Sequence, residues 1–201
     1  MFRSRTALSV SAASALLLAT PLLTACGSDA HPGAAAVVDG ERISVAQLQA
    51  QVRVVRDAQR DSPQADQLVA NSGRLSKDTL IRMIQYRVIE RAGADNGVHV
   101  TRREVQKALK DAAEHEGGAA RVRALYLQQG IAPGQIDDQV RMDLTRDKLL
   151  RKLGPRKVNA TFAATSKALR IDVNPRYGSW DDTQGTARLA REPWLHAATE
   201  A

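Results

Sequence analysis

The most reactive side chain in the sequence is a single thiol, Cys26, which directly follows Leu23-Thr24-Ala25. The thiolate is the nucleophile of a cysteine. The other groups able to do chemistry are scattered. His31, His99, His115 and His196 share no metal-ligand spacing, and His115-Glu116 lacks the second histidine of a zincin helix. No Gly-x-Ser-x-Gly elbow or phosphate-cradling glycine loop occurs, and no two carboxylates are marked by spacing as an acid–base pair. Asn159-Ala160-Thr161 is a glycosylation pattern by letter only, inside an expected helix. The expectation is a chain that is not an enzyme and needs no metal and no cofactor.

The residues before Cys26 give it a context. Arg3 and Arg5 lead an apolar, small-residue run from Ala7 to Leu23, which is the order of an export signal. Pro21 interrupts the run, and it falls short of the ~20 residues that cross a bilayer. An ordinary secretory signal and an uncleaved helix are the competing readings. Leu23-Thr24-Ala25-Cys26 resembles the lipobox of bacterial lipoproteins. That resemblance implies diacylglycerol on the Cys26 sulfur, cleavage before Cys26, and a lipid-anchored protein on the extracytoplasmic face of the cell membrane. Residues 1–25 are then a signal peptide, and 26–33, with Gly, Ser, Asp and Pro, a flexible tether. With one cysteine, no internal disulfide forms.

The formal charge of +7 over 201 residues is unevenly placed. Arg141, Arg146, Lys148, Arg151, Lys152, Arg156 and Lys157 face only Asp143 and Asp147 within their stretch. An exported chain seldom meets nucleic acid. Anionic lipid head groups or anionic wall polymers fit such a stripe better, and a solvated helix face is the simpler alternative.

These residues must be positioned by a mainly helical chain. Val37-Val38-Asp39-Gly40-Glu41-Arg42-Ile43 reads as a tight hairpin, because Asp-Gly tolerates positive φ at both turn positions. Ser44 and Gln47 form a capping box for a helix with Leu48, Val52 and Val55 on one face. Ser62-Pro63 starts a short helix that ends before Gly73. Helices are expected within 44–60, 76–96, 102–115, 119–129, 133–153 and 158–169, the second stopped by Asn96-Gly97 and the third opened by Thr101 and Glu104. The helix over 133–153 carries two apolar stripes, so it packs on both sides or exposes one for a partner. Ile171-Asp172-Val173 is a short strand candidate expected to pair with the hairpin. Residues 178–201 read as an irregular tail, in which Trp180 and Trp194 touch peptide or membrane, or else pack as a cap over apolar surface.

Val37-Val38-Asp39-Gly40-Glu41-Arg42-Ile43-Ser44, with Leu48 following, resembles the start of the SurA/PrsA group of extracytoplasmic foldases. The similarity extends over the helical order to about Tyr177. It implies a helical chaperone-like domain over 34–177, in which a small β element joins the N-terminal hairpin and a C-terminal strand. In those foldases a parvulin-type isomerase domain commonly sits before the closing helix, but here only Gly154-Pro155-Arg156-Lys157 stands at that point. The resemblance therefore implies a holdase that binds unfolded or nascent exported proteins without prolyl isomerase activity. Leu80, Ile84, Val88, Met142, Leu149 and Leu153 are the expected client contacts, or else core. A structural lipoprotein that docks to one envelope partner is the alternative.

Overall fold

The computed structural model describes residues 33–188. β1 (Ala34–Val38) and β2 (Glu41–Ser44) form the expected hairpin, with Asp39 at φ 53° and Gly40 at φ 79° in its turn. The chain continues through α1 (Val45–Arg60), α2 (Ala65–Ala70), α3 (Leu75–Asp95), α4 (Arg102–Glu116), α5 (Ala119–Gln128), α6 (Ile136–Leu153) and α7 (Pro155–Ala168). β3 (Asp172–Val173) then returns to pair antiparallel with β1, with Ala36 opposite Val173, so the sheet order is β2-β1-β3. The closing strand thus meets Val37 of the hairpin, whereas Arg42 and Ile43 pair with β1 instead. Asn174 fastens this closure: its side-chain amide donates to Ala34 O and its backbone N–H to Ala35 O, both at 3.0 Å.

Local chemistry accounts for the boundaries. Ser44 Oγ accepts from Gln47 N at 3.0 Å while Gln47 Oε1 accepts from Ser44 N at 2.8 Å, and Thr101 and Glu104 repeat the arrangement at α4. The last long helix starts at Pro155, not at 158. Gly154 takes φ 77° and leaves Pro155 in the first helical position, where its missing N–H costs nothing. The helix after Ser62-Pro63 begins two residues late, because Ser62 Oγ accepts from Gln64 N in a turn of its own.

The main core lies between the three-stranded sheet, α1 and α3, with Ile43, Leu48, Val52, Val55, Leu80 and Ile84 all buried. Each such side chain contributes about 1.5–3 kcal/mol on burial. The two stripes of α6 are both packed. Ile136 and Val140 meet Val105 of α4, and Leu149 meets Ala92, Val98 and Val158.

Part of the expected irregular tail is a hairpin of β4 (Ser179–Asp181) and β5 (Thr186–Arg188). Asp181 Oδ1 closes its turn by accepting from Thr183 N, Thr183 Oγ1 and Gln184 N, and Gly185 supplies φ 58°. Trp180 packs against the main core, as a cap over apolar surface would. Trp194 lies outside the described residues.

Candidate functional site

The structure separates the apolar residues expected to form a groove. Leu80, Ile84, Val88 and Leu149 are 0–6% exposed and Met142 is 7% exposed, while Leu153 is half-buried beside the Leu149 cluster. Leu80, Ile84 and Val88 are core under the sheet, and Leu149 is core between α3 and α7. Leu80, Ile84 and Leu149 are closed off by the fold, whereas Val88 edges a hollow of about 360 Å³ with Gln85, Phe162 and Trp180. Met142 lines a cleft between α1, α3 and α6.

That cleft lies on another side of α3. Thr79, Arg82, Met83, Tyr86 and Arg87 recur along α3 at spacings that keep them on one face. Gln51 from α1 and Asp138, Gln139 and Met142 from α6 complete a cleft of about 290 Å³. Tyr86 also lines two neighbouring hollows. One, of about 260 Å³, is walled by Ile89, Glu90, His99 and Thr145, and the other, of about 410 Å³, by Asp39, Glu41 and Arg91. From Thr79 to Ala94 the face runs about 22 Å at the helical rise, the length of an extended peptide of about six or seven residues. The sequence holds three methionines, Met1, Met83 and Met142, and the latter two share this cleft. A sequence signal for the site existed in those methionines and in Tyr86, but the strongest apolar stripe of α3 pointed to the core instead.

The rims are ordered by polar contacts. Arg82 donates to Gly130 O at 2.9 Å and to Gln129 O at 3.0 Å, tying α3 to the end of α5; burial holds its pKa below the ordinary value, against the opposing pull of Asp78. Arg87 pairs with Glu41 at 3.5 Å. Burial raises the Tyr86 phenol, and Glu90 and Asp138 push it the same way, so it is a neutral hydrogen-bonding group at physiological pH. A larger hollow of about 450 Å³ is walled chiefly by carboxamides, among them Gln59, Gln64, Gln67 and Gln128. It offers far less apolar wall than the Tyr86 groove.

The basic stripe is divided by the fold. Lys148 donates to His99 O at 2.7 Å and Lys152 to Asn96 O at 2.6 Å, so both cap the turn after α3. The Arg146 guanidinium lies 6.0 Å from the centre of the Phe162 ring, within reach of a cation–π contact. Arg141 lines the hollow beside Tyr86, and Arg151, Arg156 and Lys157 are exposed on α6 and α7. Cys26, His31 and His196 lie outside the described residues. Among the described residues no group of three or more His, Cys, Asp or Glu is placed to hold a metal ion, and no helix is long and apolar enough to cross a membrane.

The described residues form a helical body closed by strands from both of its ends, with a grooved face on α3 and Gly154 alone between α6 and α7. The chain belongs to the family of the SurA-like N-terminal domain, whose model matches residues 2–150. That family is chaperone-related, its domain is non-catalytic, and it is associated with binding unfolded proteins. The matched stretch ends within α6; α7, β3 and the β4–β5 hairpin lie beyond it. Neither the comparison with curated proteins nor the one with solved structures gave a match.

Proposed function

We propose that this protein is a lipoprotein holdase: anchored through Cys26 on the extracytoplasmic face of the membrane, it binds unfolded or nascent exported chains in the Tyr86 groove. The observation that carries the reading is the pairing of Met83 with Met142 in a cleft flanked by Tyr86. Methionine is flexible and polarisable, and it adapts to unlike partners where Leu or Ile would select for shape. Apolar contact is non-directional, which suits clients that share no sequence. Membership of a chaperone-related family supports the same reading.

The test is suppression of aggregation by the full chain across several chemically unrelated unfolded clients. Wild type should delay all of them, and Met83→Glu, which places a charge on the groove wall, should weaken each delay at temperatures well below its own melting transition, which falls because Met83 also packs against the main core. Activity on no client, together with capture of one folded envelope protein, would favour the docking lipoprotein instead. The same preparations should not accelerate isomerisation of a short proline peptide. That reaction faces a barrier of ~18–20 kcal/mol, and α6 and α7 are joined by Gly154 alone, without room for an inserted isomerase domain. Acceleration that survives repurification would overturn this part of the assignment.

A further inference from the structure

Two oxygen atoms in the Tyr86 groove lack the partners that buried oxygens normally have. Thr79 Oγ1, on α3, and Gln139 Oε1, on α6, are shut off from solvent and accept or donate no hydrogen bond. Thr79 is 3% exposed, and both residues line the cleft that holds Met83 and Met142. Most buried polar groups are paired, and an unpaired one is a net cost to the fold.

Neither atom has taken the local solution open to it. A threonine inside a helix can donate to the carbonyl four residues back. Thr145 does so to Arg141 O and Thr161 to Lys157 O, both at 2.8 Å. Thr79 does not. Gln139 has its Nε2 engaged by both carboxylate oxygens of Asp143 at 3.1 Å. A carboxylate can only accept, so this contact fixes which end of the amide is nitrogen and leaves Oε1 as a committed acceptor.

Resting on the holdase reading, we propose that Thr79 and Gln139 clamp one main-chain peptide unit of an extended client. Both atoms are covered in the unliganded fold, so the client enters as α3 and α6 part along the cleft; Gln139 Oε1 then accepts the client N–H, and the Thr79 hydroxyl donates to the client C=O. The partial charges are complementary: a lone acceptor meets the positive end of the peptide dipole and a free hydroxyl hydrogen the negative end. Every polypeptide carries this unit, so the clamp adds affinity without reading sequence, while the neighbouring client side chain enters between Met83, Tyr86 and Met142. A helical or folded partner has already paired its main-chain groups. The site therefore selects extended, unfolded chain, and it excludes proline from the clamped position because proline has no N–H.

The probe is a fluorescein-labelled extended peptide of about nine residues with a central Leu-Phe-Ala, bound to the full chain in non-ionic detergent and followed by anisotropy. A single N-methyl group is moved through the central amides. One position should weaken binding by about ten-fold, which corresponds to ~1.4 kcal/mol, with its neighbours near the unmodified value. Thr79→Val should weaken the unmodified peptide several-fold while leaving the melting temperature equal or higher, since it removes an unpaired buried hydroxyl; Thr79→Ser should restore binding. A flat N-methyl scan, or wild-type affinity in Thr79→Val, overturns the clamp and leaves the groove reading standing. Loss of affinity and melting temperature together in Thr79→Val also overturns it, because the hydroxyl would then serve the fold. Failure of the unmodified peptide to bind overturns both readings.

Discussion

Trp180 donates its indole N–H to Ser166 Oγ at 2.8 Å, and Ser166 in turn donates to Asp182 Oδ1 at 2.6 Å. Ser166 is 1% exposed on α7, so a buried hydroxyl fastens both strand and turn of the β4–β5 hairpin to the helical body. Gln85 adds a contact from α3 by donating to Gly185 O at 2.6 Å. Ser166→Ala removes the hydroxyl from both partners at once. Stability should fall by about 1–3 kcal/mol, the usual cost of stranding buried polar groups. Amide exchange across residues 179–188 should quicken while that of α1 and α3 keeps to the global change. Unaltered exchange in the hairpin would show that Trp180 packing alone holds it.

A second contact sets a pH dependence. Lys148 Nζ meets Glu104 Oε1 at 2.6 Å, and Glu104 also accepts from Thr101 N and Thr101 Oγ1. The Lys148 bond is the largest cause and the Thr101 bonds the next; together they hold the carboxyl at about 2 against an ordinary 4.5. A depressed folded-state pKa means stability that is present above the unfolded value and lost as the pH falls through the folded one. The wild-type advantage over Glu104→Gln should therefore be full above pH 4.5 and shrink between about 4.5 and about 2. Glu104 is solvent-exposed, so the advantage is small and weakens further with salt. Urea midpoints of both proteins across this range make the check; parallel curves would dismiss the pair as a pH-sensitive element.

The helices were legible because their signals are local. Asp39-Gly40, the two capping boxes and Gly154-Pro155 each act through residues within a few positions of one another. The closing strand was legible in outline through the family resemblance. The β4–β5 hairpin was not, since its strands are short, its turn depends on one carboxylate, and its anchor is a serine already assigned to a helix. The groove was missed for a different reason. Leu80, Ile84 and Val88 form the strongest apolar stripe of α3, and hydrophobicity alone does not say whether a stripe meets the core or a client. Thr79, Tyr86 and Met83 gain meaning only once α6 brings Gln139 and Met142 opposite them.

Anchoring and the basic stripe are separable by experiment. Cys26→Ser should release the protein from membranes, because acyl chains supply about 0.8 kcal/mol per buried CH₂. Retention of that variant in high salt would count against lipidation. Any attachment left at low salt should depend on Arg151, Arg156 and Lys157, since Lys148 and Lys152 are committed to carbonyls of the fold. Changing these three to alanine in the Cys26→Ser background should lower partitioning onto phosphatidylglycerol vesicles on the order of 100-fold, at ~1 kcal/mol per basic residue, with the melting temperature unchanged. Undiminished partitioning would reassign the stripe to solvation.

Gly93 sets how closely α3 approaches α6. A Cβ built there would lie 2.8 Å from Thr145 Cγ2 and 3.2 Å from Val98 O. Neither neighbour yields cheaply. Thr145 is 8% exposed and holds its rotamer by donating to Arg141 O, and Val98 is tied back through its N–H to Gly93 O at 2.8 Å. Gly93→Ala would gain about 0.5–1 kcal/mol in an unconstrained helix, whereas overpacking a filled contact costs about 1–3 kcal/mol. The second effect should win, so Gly93→Ala should destabilise, and by forcing α6 outward it should also weaken peptide binding between Thr79 and Gln139. Thr145→Ser removes the offending methyl while keeping the hydroxyl, so the double variant should recover most of what Gly93→Ala alone loses. Urea denaturation of the four proteins closes the cycle. A Gly93→Ala protein as stable as wild type, with no coupling to Thr145→Ser, would show that the glycine is not what brings the two helices together.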